Sequence, residues 1–114
     1  MRTDRPWGYY TVLYETDGVK VKELVVEPGK SLSMQRHEYR NEHWHIAEGV
    51  ATVNVIYETN GKEAVRVTTN YYKHNTVHVP KFRWHQLCNN EDFPLKVVEI
   101  QYGEKCEEED IERK

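Results

Sequence analysis

The sequence predicts an all-β fold, either a sandwich or a small barrel. Thirteen Phe, Trp and Tyr residues in a chain of 114 favour strands over amphipathic helices. Short apolar segments alternate with turn residues, and no stretch before the C-terminal tail has the 3.6-residue period of a helix. The length is sufficient for one hydrophobic core and too small for two, so residues 1–114 are expected to form a single domain.

The predicted strands follow one another closely along the chain. Segments 9–14 and 19–26 come first, and a Pro28-Gly29 turn ends the second. Apolar residues at alternate positions in 51–55 indicate a strand with one buried face. The Asn60-Gly61 dipeptide tolerates positive φ at both positions, so it predicts a hairpin that joins 51–57 to 65–67. The remaining predicted strands are 43–48, 76–79, 84–88 and 95–102.

The tail at residues 104–114 is mostly charged, and Ile111 is its only large aliphatic residue. Such a composition predicts a solvated end or a short helix. The two cysteines, Cys88 and Cys106, lie in different contexts and indicate neither a disulfide scaffold nor a zinc knuckle.

Charge and hydropathy exclude two classes of partner. The net charge of −3 is small and Lys and Arg are scattered, so no nucleic-acid partner is expected. No apolar run approaches the ~18 residues that a membrane span needs, and the N-terminus has no signal-peptide segment. We therefore expect a cytoplasmic protein with no membrane partner.

The densest group of potential metal ligands is QRHEYRNEHWH at 35–45. In an extended segment Gln35 and His37 share a face, and a short loop can return Glu42 to their side. His85 is a fourth candidate. Imidazole, carboxylate and amide oxygen suit a divalent metal such as zinc, manganese, iron or nickel. Six histidines also produce close spacings by chance, so ordinary hydrogen-bonded histidines remain the alternative.

The spacing of these residues is similar to that of the two cupin motifs. Gly29, Gln35, His37, Glu42 and Gly49 have the spacing of the first motif, and Pro80, His85 and Asn89 follow that of the second. More closely, the chain resembles the C-terminal domain of type II phosphomannose isomerases. The segments that carry this resemblance are RPWGYYTVL (5–13), VKVKELVVEPGKSLSMQRHEYRNEHWHIAEGVATV (19–53) and VEIQYGEKCEEEDIERK (98–114).

The resemblance implies a cupin double-stranded β-helix, or jelly-roll barrel, that forms a homodimer. It also implies that Gln35, His37, Glu42 and His85 bind a divalent ion, with zinc expected and manganese, iron, cobalt or nickel as alternatives. The implied reaction interconverts mannose 6-phosphate and fructose 6-phosphate through an enediol. The open alternatives are a non-catalytic cupin that binds metal and sugar, and another small-molecule cupin enzyme such as an oxygenase.

Three residues are candidates for catalysis. Arg40 matches the arginine between the family's ligands and is expected to hold an enediolate oxygen or a phosphate. Glu99 becomes the best base if its face of the 95–102 strand points inward. His43 is a further candidate for proton transfer, although alternation directs it away from the metal.

A sugar phosphate also needs a cationic anchor. Lys81, Arg83 and Arg36 flank the candidate ligands and are the predicted anchors. Alternation places Arg36 opposite Gln35 and His37, so solvent exposure is the competing interpretation for that residue.

Overall fold

The computed structural model describes residues 1–114, which form eleven strands in two antiparallel sheets. Sheet A has the order β1 (Arg2–Arg5), β2 (Gly8–Thr16), β3 (Val19–Val26), β10 (Leu95–Gly103), β5 (Arg40–Glu48) and β8 (Thr76–Val79). Sheet B has the order β11 (Glu112–Arg113), β4 (Gln35–Arg36), β9 (Trp84–Cys88), β6 (Ala51–Thr59) and β7 (Lys62–Tyr71). No helix is long and apolar enough to cross a membrane.

Every strand predicted from the sequence is present, and the all-β prediction is confirmed. The hairpin prediction is also confirmed, because β6 and β7 pair antiparallel around Asn60 and Gly61, which have φ values of 54° and 74°. The sequence did not reveal β1, β4 and β11, which have only two to four residues each.

Most tail residues are exposed, as expected for a solvated end, but the tail contains no helix and its last residues pair with the domain. Residues Glu112 and Arg113 form β11 and pair with β4, where Arg113 lies opposite Gln35. Ile111 and Arg113 line a cavity between the sheets. The tail therefore packs against the domain and closes one side of that cavity.

The core lies between the inner faces of the two sheets. In sheet A, the neighbouring strands β10 and β5 alternate buried and more exposed residues, and β3 does so until its last three residues, which are all buried. At one end their inward residues are apolar, and at the other end they are polar. The apolar set is Val26, Leu24, Leu95, Val97, Ile46 and Trp44, and the buried polar set is Lys22, Glu99, Gln101, Glu42 and Arg40.

This change of polarity within each strand positions the site. Burial of each large apolar side chain contributes about 1.5–3 kcal/mol, so the apolar end stabilises the sandwich. The polar end buries charged groups that cost free energy unless they are paired. The register of β10 places Glu99 beside Lys22 of β3 and Gln101 beside Glu42 of β5.

Candidate metal centre and its cavity

A cavity of about 360 Å³ lies at the polar end of the sandwich. Both sheets and the tail contribute to its wall. Its polar lining includes Arg5, Lys22, Gln35, Arg40, Glu42, His85, Glu99, Gln101, Glu108 and Arg113. Trp7 and Tyr10 provide aromatic surface beside these groups.

Three buried side chains, His37, Glu42 and His85, have ligand atoms that all lie within 4.8 Å of one another. Glu42 and His85 line the cavity, and His37 lies next to Glu42. His37 Nε2 is 3.1 Å from Glu42 Oε2, and His85 Nε2 is 3.7 Å from Glu42 Oε1. Glu42 comes from β5 of sheet A, His85 from β9 of sheet B, and His37 from the connection after β4. The fold thus brings together residues 43 positions apart.

Both histidines are oriented by backbone carbonyls. His37 Nδ1 donates a hydrogen bond of 2.6 Å to the Asp110 carbonyl, and His85 Nδ1 donates one of 2.8 Å to the Arg83 carbonyl. Each Nε2 atom therefore faces Glu42, and His37 Nε2 also lies 3.3 Å from Arg40 Nη2. This is the arrangement by which proteins fix the tautomer of a metal-binding histidine.

The unpartnered atoms of the group fit a divalent cation. His85 Nε2 is buried and has no hydrogen-bond partner. Burial lowers the pKa of His85, so its imidazole is neutral and able to act as a ligand. The lone pair of His85 Nε2 faces the Glu42 carboxylate in a buried site. A cation bound between these two groups would satisfy both. The donor set suits zinc, manganese, iron, cobalt and nickel alike.

Gln35 and Arg40 complete the surroundings of this group. Gln35 lines the cavity and is the cross-strand partner of His85. Arg40 Nε donates to Glu42 Oε2 at 3.0 Å, and its Nη1 donates to the Glu107 carbonyl at 3.0 Å. Burial alone would raise the pKa of Glu42, but its contacts with His37, His85 and Arg40 lower it well below its usual range. Glu42 is therefore ionised.

Glu99 points inward, which resolves the ambiguity of its strand. Only 5% of the residue is exposed, and it lines the cavity. Its carboxylate accepts hydrogen bonds from Trp44 Nε1 at 3.1 Å and Gln101 Nε2 at 2.7 Å. Trp44 Nε1 also donates to Glu42 Oε1 at 3.2 Å, so the two carboxylates share one donor. Burial and the negative charge of Glu42 raise the pKa of Glu99 to about 8.

His43 lies on the opposite face of β5 from the cavity. The alternation that buries Glu42 and Trp44 turns it outward, and its cross-strand partners are Ile100 and His78. The assignment of His43 to proton transfer is therefore corrected, because the sheet separates it from the cavity.

The predicted phosphate anchors also lie outside the cavity. Arg36 Nη2 pairs with Glu112 at 3.1 Å, and its guanidinium lies over the Trp84 ring. Arg83 lies over the Tyr57 ring at 4.3 Å, and the structure gives Lys81 only a backbone contact, from its N–H to Asn41. These three residues are next to the ligands in sequence but outside the cavity in space.

The cationic residues that do line the cavity were not predicted from the sequence. Lys22 is 4% exposed, and its Nζ pairs with Glu108 of the tail at 2.6 Å. The alternation of Val26, Leu24 and Lys22 along β3 contained that signal. Arg5 and Arg113 also line the cavity but are exposed, so they lie at its opening. No local pattern connects these two, because they come from opposite ends of the chain.

The tail holds one metal-ligand candidate in place. The Asp110 carboxylate accepts hydrogen bonds from the N–H groups of Glu38 and Tyr39 at 2.8 and 2.9 Å. These bonds anchor the tail beside His37, whose ring donates to the carbonyl of the same Asp110. The tail thus takes part in building the site.

Comparison with known proteins places this chain in a family. The whole chain, residues 1–114, matches the family described as mannose-6-phosphate isomerase C-terminal. It is 37% identical over 109 residues to a mannose-1-phosphate guanylyltransferase of Sinorhizobium fredii, covering 96% of this chain and 20% of that protein. It is 36% identical over 109 residues to the xanthan biosynthesis protein XanB of Xanthomonas campestris, covering 96% of this chain and 21% of that protein.

The chain spans about a fifth of the length of the curated relatives it matches. Among solved structures, oxalate decarboxylase of Lactobacillus farciminis superposes with a TM-score of 0.82 at 15% identity, over 99% of this chain and 33% of that one. The capsular polysaccharide assembling protein CapF of Staphylococcus aureus gives 0.81 at 17% identity, over 97% and 31%. These likenesses show the fold alone. The chain belongs to the family of mannose-6-phosphate isomerase C-terminal domains and has the cupin double-stranded β-helix fold.

Proposed function

We propose that this domain is a metal-dependent isomerase that interconverts mannose 6-phosphate and fructose 6-phosphate. The observation that carries the proposal is the pairing of two kinds of site in one cavity. His37, Glu42 and His85 form a buried metal-ligand group, and Glu99, a second buried carboxylate, lies beside it without belonging to it. An aldose–ketose isomerase needs both, because the reaction requires charge stabilisation at two oxygens and a proton carrier.

His37, Glu42 and His85 would hold the metal, with Gln35 as a fourth ligand. A bound divalent ion supplies Lewis-acid stabilisation of the substrate oxygens. Arg40 keeps the Glu42 carboxylate in its orientation through the Nε hydrogen bond, and its own position is fixed by the Glu107 carbonyl. The expected enediolate contact of Arg40 is part of this proposal.

Glu99 is the proposed base. In the aldose-to-ketose direction it takes the proton from C2 of the sugar and returns that proton to C1, while a hydroxyl proton moves from O2 to O1. Atoms balance without any co-reactant. Burial, the largest cause of the raised pKa of Glu99, persists when the ion is bound, and a raised pKa suits a group that must accept and release a proton near neutral pH.

The cavity opening supplies the phosphate contact in place of Lys81, Arg83 and Arg36. Arg5 and Arg113 line the cavity and are exposed, and their guanidinium groups match the geometry of phosphate oxygens. Lys22 adds a buried positive charge deeper in the cavity. A phosphorylated sugar would thus have its reactive end at Glu99 and its phosphate at the opening.

The test is a coupled assay with mannose 6-phosphate on protein stripped of metal and reloaded with Zn²⁺, Mn²⁺, Fe²⁺, Co²⁺ or Ni²⁺. Turnover that depends on metal and falls by about 100-fold or more in Glu99→Gln supports the proposal. Glu23→Gln makes the same chemical change on the outer face of β3 and should leave activity unchanged. No turnover with any metal would remove the isomerase proposal.

The same assay separates the alternatives. Binding of sugar phosphate without turnover identifies a non-catalytic cupin, and oxygen uptake with bound Fe²⁺ identifies an oxygenase. A cytoplasmic location follows from the proposed substrates and belongs to the proposal, as does the homodimer, which sedimentation equilibrium would test.

A further inference from the structure

Besides His85, one other cavity residue has a buried polar atom without a hydrogen-bond partner. Gln101 has 0% exposure, lies on the inner face of β10, and lines the cavity. Its Nε2 donates a hydrogen bond of 2.7 Å to Glu99 Oε1, while its Oε1 is buried and has no hydrogen-bond partner. A buried carbonyl oxygen without a donor costs free energy, so the site leaves this acceptor unpaired for a ligand.

We propose that Gln101 Oε1 accepts a hydrogen bond from a hydroxyl group of the bound sugar. The inference rests on the proposed function and names a substrate-binding residue that determines which sugars fit. The ligand must present a donor, because an amide oxygen only accepts hydrogen bonds. A sugar hydroxyl provides that donor, whereas a fully ionised phosphate or carboxylate provides none.

The position of Gln101 determines which hydroxyl it holds. Its two neighbours across the sheet are Glu42 and Lys20, and its amide nitrogen binds Glu99 directly. The free oxygen is on the same amide group, so a hydroxyl bound there lies next to the Glu99 carboxylate. The hydroxyl at C2 or C3 is then the one that Gln101 holds, because C2 gives its proton to Glu99.

Gln101 also orients Glu99. Glu99 Oε2 accepts from Trp44 Nε1, and Glu99 Oε1 accepts from Gln101 Nε2, so both oxygens are held. The amide thus joins the hydroxyl it recognises to the proposed base. Loss of Gln101 should therefore weaken binding of mannose 6-phosphate. It should also lower kcat, because Glu99 loses one of the hydrogen bonds that orient it.

The test measures binding of mannose 6-phosphate and its 2-deoxy, 3-deoxy and 4-deoxy analogues by calorimetry on zinc-loaded protein. Wild-type protein should bind either the 2-deoxy or the 3-deoxy analogue about tenfold more weakly than the parent sugar, the cost of one unpaired buried acceptor. In Gln101→Met, which keeps the shape and removes the acceptor, the parent and that analogue should bind equally. The ratio of the affinities for the parent sugar and the 4-deoxy analogue should be the same in both proteins.

Gln86→Met is the matched control, because Gln86 bonds the Leu32 carbonyl on the outer face of sheet B. It should keep the wild-type discrimination. Should Gln101→Met fail to fold, judged by its melting curve, Gln101→Leu serves instead, because it also lacks an acceptor oxygen and should abolish the same discrimination.

Three results would overturn the inference. The first is that the variants bind the parent sugar more tightly than the 2-deoxy or 3-deoxy analogue by the same factor as wild-type protein. The second is loss of zinc from Gln101→Met, which would make Gln101 a metal ligand. The third is no binding of any sugar phosphate by wild-type protein, which would remove the proposed function as well. Binding without turnover would remove the isomerase proposal alone, and the analogue comparison would still decide the role of Gln101.

Discussion

The substitution Asp110→Ala tests whether the tail builds the metal site. The Asp110 carboxylate accepts hydrogen bonds from the N–H groups of Glu38 and Tyr39 at 2.8 and 2.9 Å, and its carbonyl accepts one from His37 Nδ1 at 2.6 Å. Alanine keeps the carbonyl but removes both carboxylate bonds. The tail then loses the contacts that hold this carbonyl against the His37 ring.

The expected cost follows from those contacts. Each hydrogen bond to a charged group is worth about 1.5–3 kcal/mol when buried, and partial exposure here reduces the pair to about 2 kcal/mol in total. For a domain of this size that loss lowers Tm by about 8 °C. Loss of the hydrogen bond that orients a ligating histidine weakens metal binding by about 10–100-fold.

Circular dichroism melts in EDTA would measure the first effect, and zinc titration against a competing chelator the second. Asp92→Ala is the matched control, because Asp92 is exposed on the loop before β10. It should change neither quantity. If Asp110→Ala keeps the Tm and the zinc affinity of wild-type protein, the tail has no part in the site and the reasoning fails.

Three further predictions concern charge and metal. The pKa of Glu99 is raised from 4.5 to about 8. Between these two pH values the folded metal-free protein retains a proton that the unfolded chain has lost. The free energy of unfolding therefore falls with rising pH across this range, by at most about 1.4 kcal/mol per pH unit. Urea denaturation should therefore show Glu99→Gln more stable than wild type at pH 8 but not at pH 4, and parallel pH curves would contradict this. Arg113→Ala should weaken mannose 6-phosphate binding by about tenfold while Arg83→Ala leaves it unchanged, since only Arg113 lines the cavity; equal losses in calorimetry would refute the placement. Zinc at about 100 times its Kd should raise the free energy of unfolding by about 2.7 kcal/mol, and His85→Asn but not His43→Asn should remove that gain in a denaturant titration.

The sequence predicted the sheets well because long strands such as β5 and β10 have one buried face, whereas the exposed strand β7 was predicted from the Asn60-Gly61 turn. Alternation is visible in 51–55 and 95–102, where several consecutive positions report the same period. It is not visible in β4 and β11, because two residues contain no period. Their pairing joins Glu112 to Arg36 across most of the chain, and only tertiary packing specifies such a contact.

The candidate site was also predicted only in part: the metal ligands were predicted from the sequence, and the cationic residues of the cavity were not. His37 and Glu42 lie five residues apart in one motif, so their convergence was predicted from spacing. His85 was predicted from the second motif. The phosphate anchors could not be inferred from proximity to the ligands, because alternate residues of a strand face opposite sides. Arg5 and Arg113 reach the cavity only through the folding of the chain ends.

The central claim is that His37, Glu42 and His85 hold one divalent ion inside the sandwich. An anomalous difference map, collected at the zinc absorption edge from crystals of zinc-loaded protein, tests it most directly. The predicted result is a single strong peak about 2.0–2.2 Å from His37 Nε2, a Glu42 carboxylate oxygen and His85 Nε2. A cavity without a peak, or a peak bound only by residues outside this group, would contradict it.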